Sequence, residues 1–199
     1  MAQPALSVLR TYDRREIPAA GSYAIDPSHT SVEFVGRHLM ITKVRGRFPD
    51  VSGTIIIDDD PARSHVEVVM DVATLDTGNT DRDNHLRGAD FFEADRYPTI
   101  TFRSTKVEEG RSGTWNVTGD LTVRDVTRPV TLEVDFDGAS ASPFGDERIA
   151  FSAATEVDRE DWGLTWNVAL ETGGVLVGKK VRIELNVQAV AGPGVSDQV

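Results

Sequence analysis

Cysteine is absent from the 199 residues of this chain. That excludes disulfides, thiolate metal sites and cysteine nucleophiles, while fitting either redox compartment. Also missing is any stretch of the ~18 consecutive apolar residues that a membrane-spanning helix requires. Positive charge is scarce, with 21 Lys and Arg against 32 Asp and Glu and a formal net charge of −11. Such a field repels phosphate backbones and anionic headgroups, which argues against nucleic acid partners and electrostatic membrane docking. Residues 1–20 lack a continuous apolar stretch of the kind an export signal needs, because Arg10, Asp13, Arg14, Arg15 and Glu16 interrupt every apolar run. A cytoplasmic location is the expectation.

Catalytic patterns are equally scarce. The four histidines, His29, His38, His65 and His85, include no close pair of metal-ligand spacing. Strand parity puts His38 inside and His65 outside, so no metal site is expected. No Gly-x-Ser-x-Gly elbow occurs, and Gly173-Gly174 lacks the Lys-Ser/Thr of a phosphate loop. Most Asp and Glu residues fall on outward strand positions or in turns such as Asp58 to Asp60, where solubility and protection of sheet edges account for them. Asn116-Val117-Thr118 matches a glycosylation acceptor but has no secretion signal beside it. No catalytic residue and no cofactor are assigned.

What the chain does have is alternation of period two, which places one set of side chains on each face of a strand. Val32, Phe34, Gly36 and His38 alternate with Ser31, Glu33, Val35 and Arg37. The same pattern recurs in Val66, Val68, Met70 and Val72, in Trp115 to Val123, in Val130 to Phe136, in Ile149 to Val157 and in Val181 to Ala189. Eight strands are predicted: Ser31 to Arg37, Val44 to Ile57, Ser64 to Ala73, Thr99 to Val107, Thr114 to Arg124, Pro129 to Asp137, Arg148 to Val157 and Lys180 to Val190. Eight long antiparallel strands favour closure, since an open sheet would leave raw edges and a wet apolar face. Two helical insertions are expected. One spans Thr80 to Gly88, opened by Thr80 with Asp83 three residues on; the other spans Asp158 to Trp162, capped by Asp158 and ended by Gly163. The organisation is a polar arm over 1–20, one all-β domain over 21–191 and a short tail over 192–199.

The inward set is rich in Phe, Trp, Val, Leu and Ile. Periodicity does not decide whether it fills the interior or surrounds a ligand, because small eight-stranded barrels do both. A greasy tunnel needs no motif: at ~0.8 kcal/mol per buried methylene, ten methylenes contribute ~8 kcal/mol before the cost of immobilisation. Three functions stay open: a lipid-binding module, a packed structural or stress-related interaction protein, and an enzyme acting on an apolar substrate.

An ordered series of motifs resembles the YceI-like family. It starts with Tyr23-x-Ile25-Asp26-x-x-His29-Thr30-x-Val32-x-Phe34-x-Gly36-x-His38 and continues through Val44-Arg45-Gly46-x-Phe48 and Asn84-His85-Leu86-Arg87-x-x-Asp90-Phe91-Phe92. Tyr97-Pro98-x-Ile100-x-Phe102, Gly119-Asp120-Leu121-Thr122-Val123 and Arg159-x-x-Trp162-Gly163-Leu164-x-Trp166-Asn167 complete it. The resemblance implies an eight-stranded antiparallel, lipocalin-like β-barrel holding a polyisoprenoid, isoprenoid quinone or similar chain, with no enzymatic activity. A carrier, storage or stress-response role would follow, with an apolar lipid as partner, no nucleic acid, no stable membrane insertion and a homodimer as a candidate assembly. Combined with parity, it assigns Phe34, His38, Phe102, Trp115, Leu121, Leu132, Phe136 and Phe151 to the inner wall. It puts Met40, Phe48, Trp162, Leu164 and Trp166 near the tunnel or its rim, and makes Arg82, His85, Arg87 and Asn167 candidates for the polar head.

Overall fold

The alternating segments pair into an antiparallel sheet that closes on itself in the computed structural model, which describes residues 6–39, 41–169 and 175–192. In chain order the strands are β1 (Leu9–Tyr12), β2 (Arg15–Pro18), β3 (Gly21–Ile25), β4 (Ser31–His38), β5 (Thr42–Arg47), β6 (Val51–Ile57), β7 (His65–Asp71), β8 (Thr99–Glu109), β9 (Trp115–Val123), β10 (Val126–Ala141), β11 (Glu147–Asp158) and β12 (Lys180–Ala191). Neighbours run β11-β10-β9-β8-β7-β6-β3-β12, and β12 pairs back onto β11 from Arg148↔Val190 to Asp158↔Lys180. That last ladder closes the ring, and the barrel has eight staves; β5, last in the sheet order, pairs with β4 and otherwise makes the isolated bridge Arg47↔Asp76.

Two staves are each made of two strands. β3 and β4 both pair with β12, through Ala189↔Ile25 and Leu185↔Val32, with a 3-10 turn at Pro27–His29 between them. Asp26 caps that turn by accepting from the Ser28 N–H at 2.9 Å, and Pro27 starts it with its fixed φ. The stretch predicted as one strand from Val44 to Ile57 divides into β5 and β6 around Phe48-Pro49-Asp50, since Pro49 has no N–H for a ladder. Pro129 does lie within β10, but where β10 pairs only with β9, before its ladder with β11 begins at Glu133↔Ala154.

Both helical insertions form, with a change at the first. Helix α1 (Thr80–Arg87) is capped by Asn79, not Thr80, its side chain accepting from the Arg82 N–H at 2.9 Å. Asp83 is buried and turned away from a capping box, accepting from the Thr77 N–H at 2.9 Å. The second insertion (Arg159–Trp162) follows the sequence reading: Asp158 accepts from the Glu160 N–H at 3.1 Å, and Gly163 ends it at φ 75°.

Residues 9–18, expected as part of a polar arm, fold into a hairpin. β1 and β2 pair from Leu9↔Pro18 to Tyr12↔Arg15. The two-residue turn Asp13-Arg14 has positive φ at both positions, 43° and 63°, a backbone usually signalled by Asn-Gly. An isolated hairpin is marginal in water. This one is held by the barrel, with Val8 and Ile17 both buried.

Asp26 ties the β3–β4 turn to the far side of the closing ladder. Its carboxylate accepts from Arg148 at 2.5 Å and faces the His29 ring at 2.8 Å. These contacts, the His29 hydrogen bond first and Arg148 second, hold its pKa down at about 2. A carboxyl with a depressed folded pKa stabilises the fold above its unfolded value of about 3.9 and loses that contribution as pH falls toward about 2. Urea unfolding of Asp26→Asn is therefore expected to show reduced stability at neutral pH and a shallower decline across that acid window. An acid limb identical to wild type would contradict the assignment.

Candidate functional site

Opposite walls of the barrel do not meet. Inward side chains surround a cavity of about 670 Å³ whose lining is overwhelmingly apolar. Its wall takes Val32 and Phe34 from β4, Val66, Val68 and Met70 from β7, Ile100 and Phe102 from β8, and Leu121 and Val123 from β9. β10, β11 and β12 complete it with Leu132, Phe151 and Leu185, among others. Trp115 and Val123, at the two ends of β9, both line it. Eight residue steps at ~3.4 Å, tilted ~40° to the barrel axis, make the interior roughly 20 Å long.

Glycine on one stave makes room for an aromatic ring on the next. A Cβ at Gly46, directly paired with Phe34, would lie 2.2 Å from that ring. At Gly119 it would lie 2.5 Å from the Phe102 ring and 2.6 Å from the Arg103 carbonyl oxygen, a backbone atom that cannot swing away. Gly119→Ala is expected to cost about 1–3 kcal/mol in chemical unfolding, in the range for forced overpacking. An unchanged midpoint would show that the two strands separate freely there.

The end of the barrel that carries α1 has a mixed aromatic and polar rim. The His85 ring meets Trp166 edge-on at 4.5 Å and Phe91 at 5.2 Å, while its Nε2 lies 2.9 Å from Asp90. Arg82 donates from Nε to the Thr77 hydroxyl at 2.7 Å and from a terminal nitrogen to the Thr77 carbonyl at 2.9 Å. Trp162 is buried and sends its indole N–H to the Leu121 carbonyl at 3.0 Å, which leaves its apolar body facing the cavity.

Of the residues singled out in the sequence, Phe34, His38, Phe48, Phe102, Trp115, Leu121, Leu132, Phe151, Trp162, Leu164 and Trp166 line this space, as do Arg82 and His85. Met40 lies outside the described residues. Phe136 does not line the cavity. Its ring packs on Phe151 at 5.4 Å within the cluster of Tyr23, Ile149 and Val8 that closes the far end, next to the bulge between Phe136 and Gly138. Two polar-head candidates are absent from the lining and hold loops instead. Arg87 donates to the Leu75 carbonyl. Asn167 clasps Val177, donating to its carbonyl at 2.7 Å and accepting from its N–H at 3.0 Å.

Other lining residues carried no individual assignment from the sequence. Phe91 and Phe92 stood in a quoted motif without a role, and Leu176 and Val177 come from a segment without alternation. Arg159 is the unexpected one. It is 5% exposed, lines the cavity and has no carboxylate within salt-bridge distance among the described residues. Its guanidinium instead donates to the carbonyls of Gly178 at 3.1 Å, Val177 at 3.5 Å and Leu164. Burial pushes its pKa down. Among the described residues no group of three or more His, Asp or Glu side chains could hold a metal ion.

Comparison with known proteins agrees with this geometry. The family model described as a YceI-like domain matches residues 23–189. A UPF0312 protein of Vibrio parahaemolyticus is 40% identical over 148 residues, covering 73% of this chain and 78% of that protein. Among solved structures, the YCEI protein of Campylobacter jejuni superposes with a TM-score of 0.67 at 30% identity, covering 78% of this chain and 90% of that one. A polyisoprenoid binding domain from Saccharophagus degradans gives a TM-score of 0.66 at 16% identity, covering 85% and 98%, a likeness of fold. With the motifs in order, the barrel closed and the family model matched across nearly the whole of it, the chain belongs to the YceI-like family.

Proposed function

We propose that this protein binds a long-chain apolar lipid of the isoprenoid class inside the barrel, as a carrier or store and without catalysing a reaction on it. The observation that carries the reading is the cavity of about 670 Å³, lined almost wholly by carbon. A barrel selected only for stability would close such a space, since each Å³ left empty costs about 24 cal/mol in a core. Its length of roughly 20 Å suits an extended chain more than a compact solute. A related fold from Saccharophagus degradans is described as a polyisoprenoid binding domain, which supports the same ligand class here.

Arg82, His85 and the aromatic pair Phe91 and Trp166 sit where the head of an inserted chain would emerge. They offer hydrogen-bond donors and flat apolar surface, which suits a neutral or anionic oxygen-bearing head. Native mass spectrometry after gentle purification, followed by organic extraction, tests the reading. A stoichiometric co-purifying lipid, or uptake of added prenyl alcohols by a stripped sample, is the expected result. An empty protein that also refuses prenyl alcohols would overturn it.

A further inference from the structure

The far end of the cavity is closed by residues that precede the family domain. That domain begins at Tyr23, whereas the β1–β2 hairpin lies at residues 9–18. Ile17 and Pro18 of the hairpin line the cavity together with strand residues of the barrel. Ile17 is 4% exposed and packs in one cluster with Val107 of β8 and Trp115 of β9, against which Val117 and Val134 also rest. All four of those barrel residues line the cavity too. Ile17 thus lies at the barrel's end against β8, β9 and β10, while Val8 packs beside β3, β11 and β12.

The hairpin is fastened to three separate parts of the rim. Arg10 donates to the backbone carbonyls of Asp58 and Asp59, at 2.6 and 2.7 Å, in the turn after β6. Arg15 pairs with Glu109 at the end of β8 at 3.3 Å, and the Tyr12 ring leans on Trp115 at 6.3 Å. The Ser7 N–H donates to Glu147 at the start of β11 at 3.0 Å, and Val8 is fully buried with Tyr23, Ile149 and Ala189. Ala19 then joins the two pieces, its N–H donating to the Val8 carbonyl at 2.7 Å and its carbonyl accepting from the Tyr23 hydroxyl at 2.8 Å. Exposed ion pairs contribute little by themselves. Buried Val8 and Ile17 and the hydrogen bonds spread around the rim fix the position.

The geometry points to Ile17 as the floor of the cavity, and so as the residue that sets which length of apolar chain this protein accepts. The inference rests on the lipid reading above. An interior with a polar rim at one end and a fixed apolar floor at the other measures length: a chain too short leaves a void next to Ile17, and one too long is pushed out past the rim. A hairpin outside the family domain gives this chain a length limit that its 23–189 barrel does not itself encode.

The test offers prenyl alcohols of increasing length, from geraniol to decaprenol, to stripped full-length protein and compares occupancy by native mass spectrometry. The variants are Ile17→Ala, Ile17→Val, Ile17→Trp and, as a mid-wall control, Val68→Ala. The preferred prenol is expected to shift by about one isoprene unit, longer for Ile17→Ala and shorter for Ile17→Trp, because the floor recedes or advances by the side-chain carbons removed or added. Ile17→Val should fall between wild type and Ile17→Ala. Val68→Ala should change occupancy for all lengths alike without moving the optimum. Thermal unfolding checks each variant, and if Ile17→Trp does not fold, the two truncations carry the comparison. A wild type with a clear optimum that no Ile17 substitution moves would overturn the inference alone. A wild type that binds no prenol would overturn the lipid reading and this inference with it.

Discussion

Replacing Phe102 with glutamate is expected to empty the barrel and remove most of its stability. Phe102 sits in the middle of the β8 wall, 7% exposed, paired with Val68 on one side and Leu121 on the other. Losing a buried phenyl alone costs about 3–5 kcal/mol. A carboxylate in its place stands between Val68 and Leu121 on an apolar wall, and desolvation adds several kcal/mol unless the group takes up a proton. Whole domains are stable by only about 5–15 kcal/mol, so the variant is expected near or past the point of unfolding. Phe102→Ala separates the two causes: it leaves a larger apolar cavity, so it should fold with lowered stability and still take up a prenyl alcohol. Urea midpoints and lipid occupancy, measured on both variants, decide the matter. Full lipid retention in Phe102→Glu would mean that this side chain does not face the interior.

Arg159→Leu is expected to cost about 3 kcal/mol and to loosen the rim locally. The guanidinium holds three backbone carbonyls, those of Leu164, Val177 and Gly178, together next to the cavity. Each buried acceptor left without a donor costs about 1–3 kcal/mol. Against that, leucine escapes the desolvation of a charge that has no carboxylate partner, and such replacements can be neutral when the lost contacts are few. Val177 keeps Asn167 as a donor, so the carbonyls of Leu164 and Gly178 are the two left bare, and their loss outweighs the relief. Amide exchange should quicken at Val177 and Gly178 well before the barrel strands respond, because these amides belong to the segment that Arg159 fastens. Exchange that speeds up uniformly over the whole chain would show Arg159 acting on global stability only.

The barrel itself was open to reading from particular residues. Val66, Val68 and Met70 on β7 alternate with Glu67 and Val69, Val130, Leu132 and Val134 on β10 alternate with Thr131 and Glu133, and all six face the cavity. Asp158 and Gly163 mark the ends of their turn as cap chemistry requires. The hairpin was not open to reading in the same way. Its turn is Asp13-Arg14, without the glycine that positive φ usually calls for, and Arg10, Arg14, Arg15 and Glu16 make the segment look solvated. Ile17 gains its place only by contact with Val107 and Trp115, about a hundred residues away in the chain. Arg159 was equally hidden, since a charged residue one step after an Asp cap reads as surface until the loop carrying Leu164, Val177 and Gly178 folds over it.

By itself the sequence determined which side of each strand would be apolar, because side chains alternate with a period of two whatever the strand pairs with. It also determined the family, through glycines, aromatics and caps in a fixed order along the chain. Whether the apolar sides would meet in a solid core or stand apart depends on strand number, tilt and stagger around the closed ring, which belong to no single strand. The tertiary structure alone decided that the walls stand apart around a cavity of about 670 Å³, that Phe136 belongs to the closed end, and that Ile17 reaches the cavity beside Val107 and Trp115.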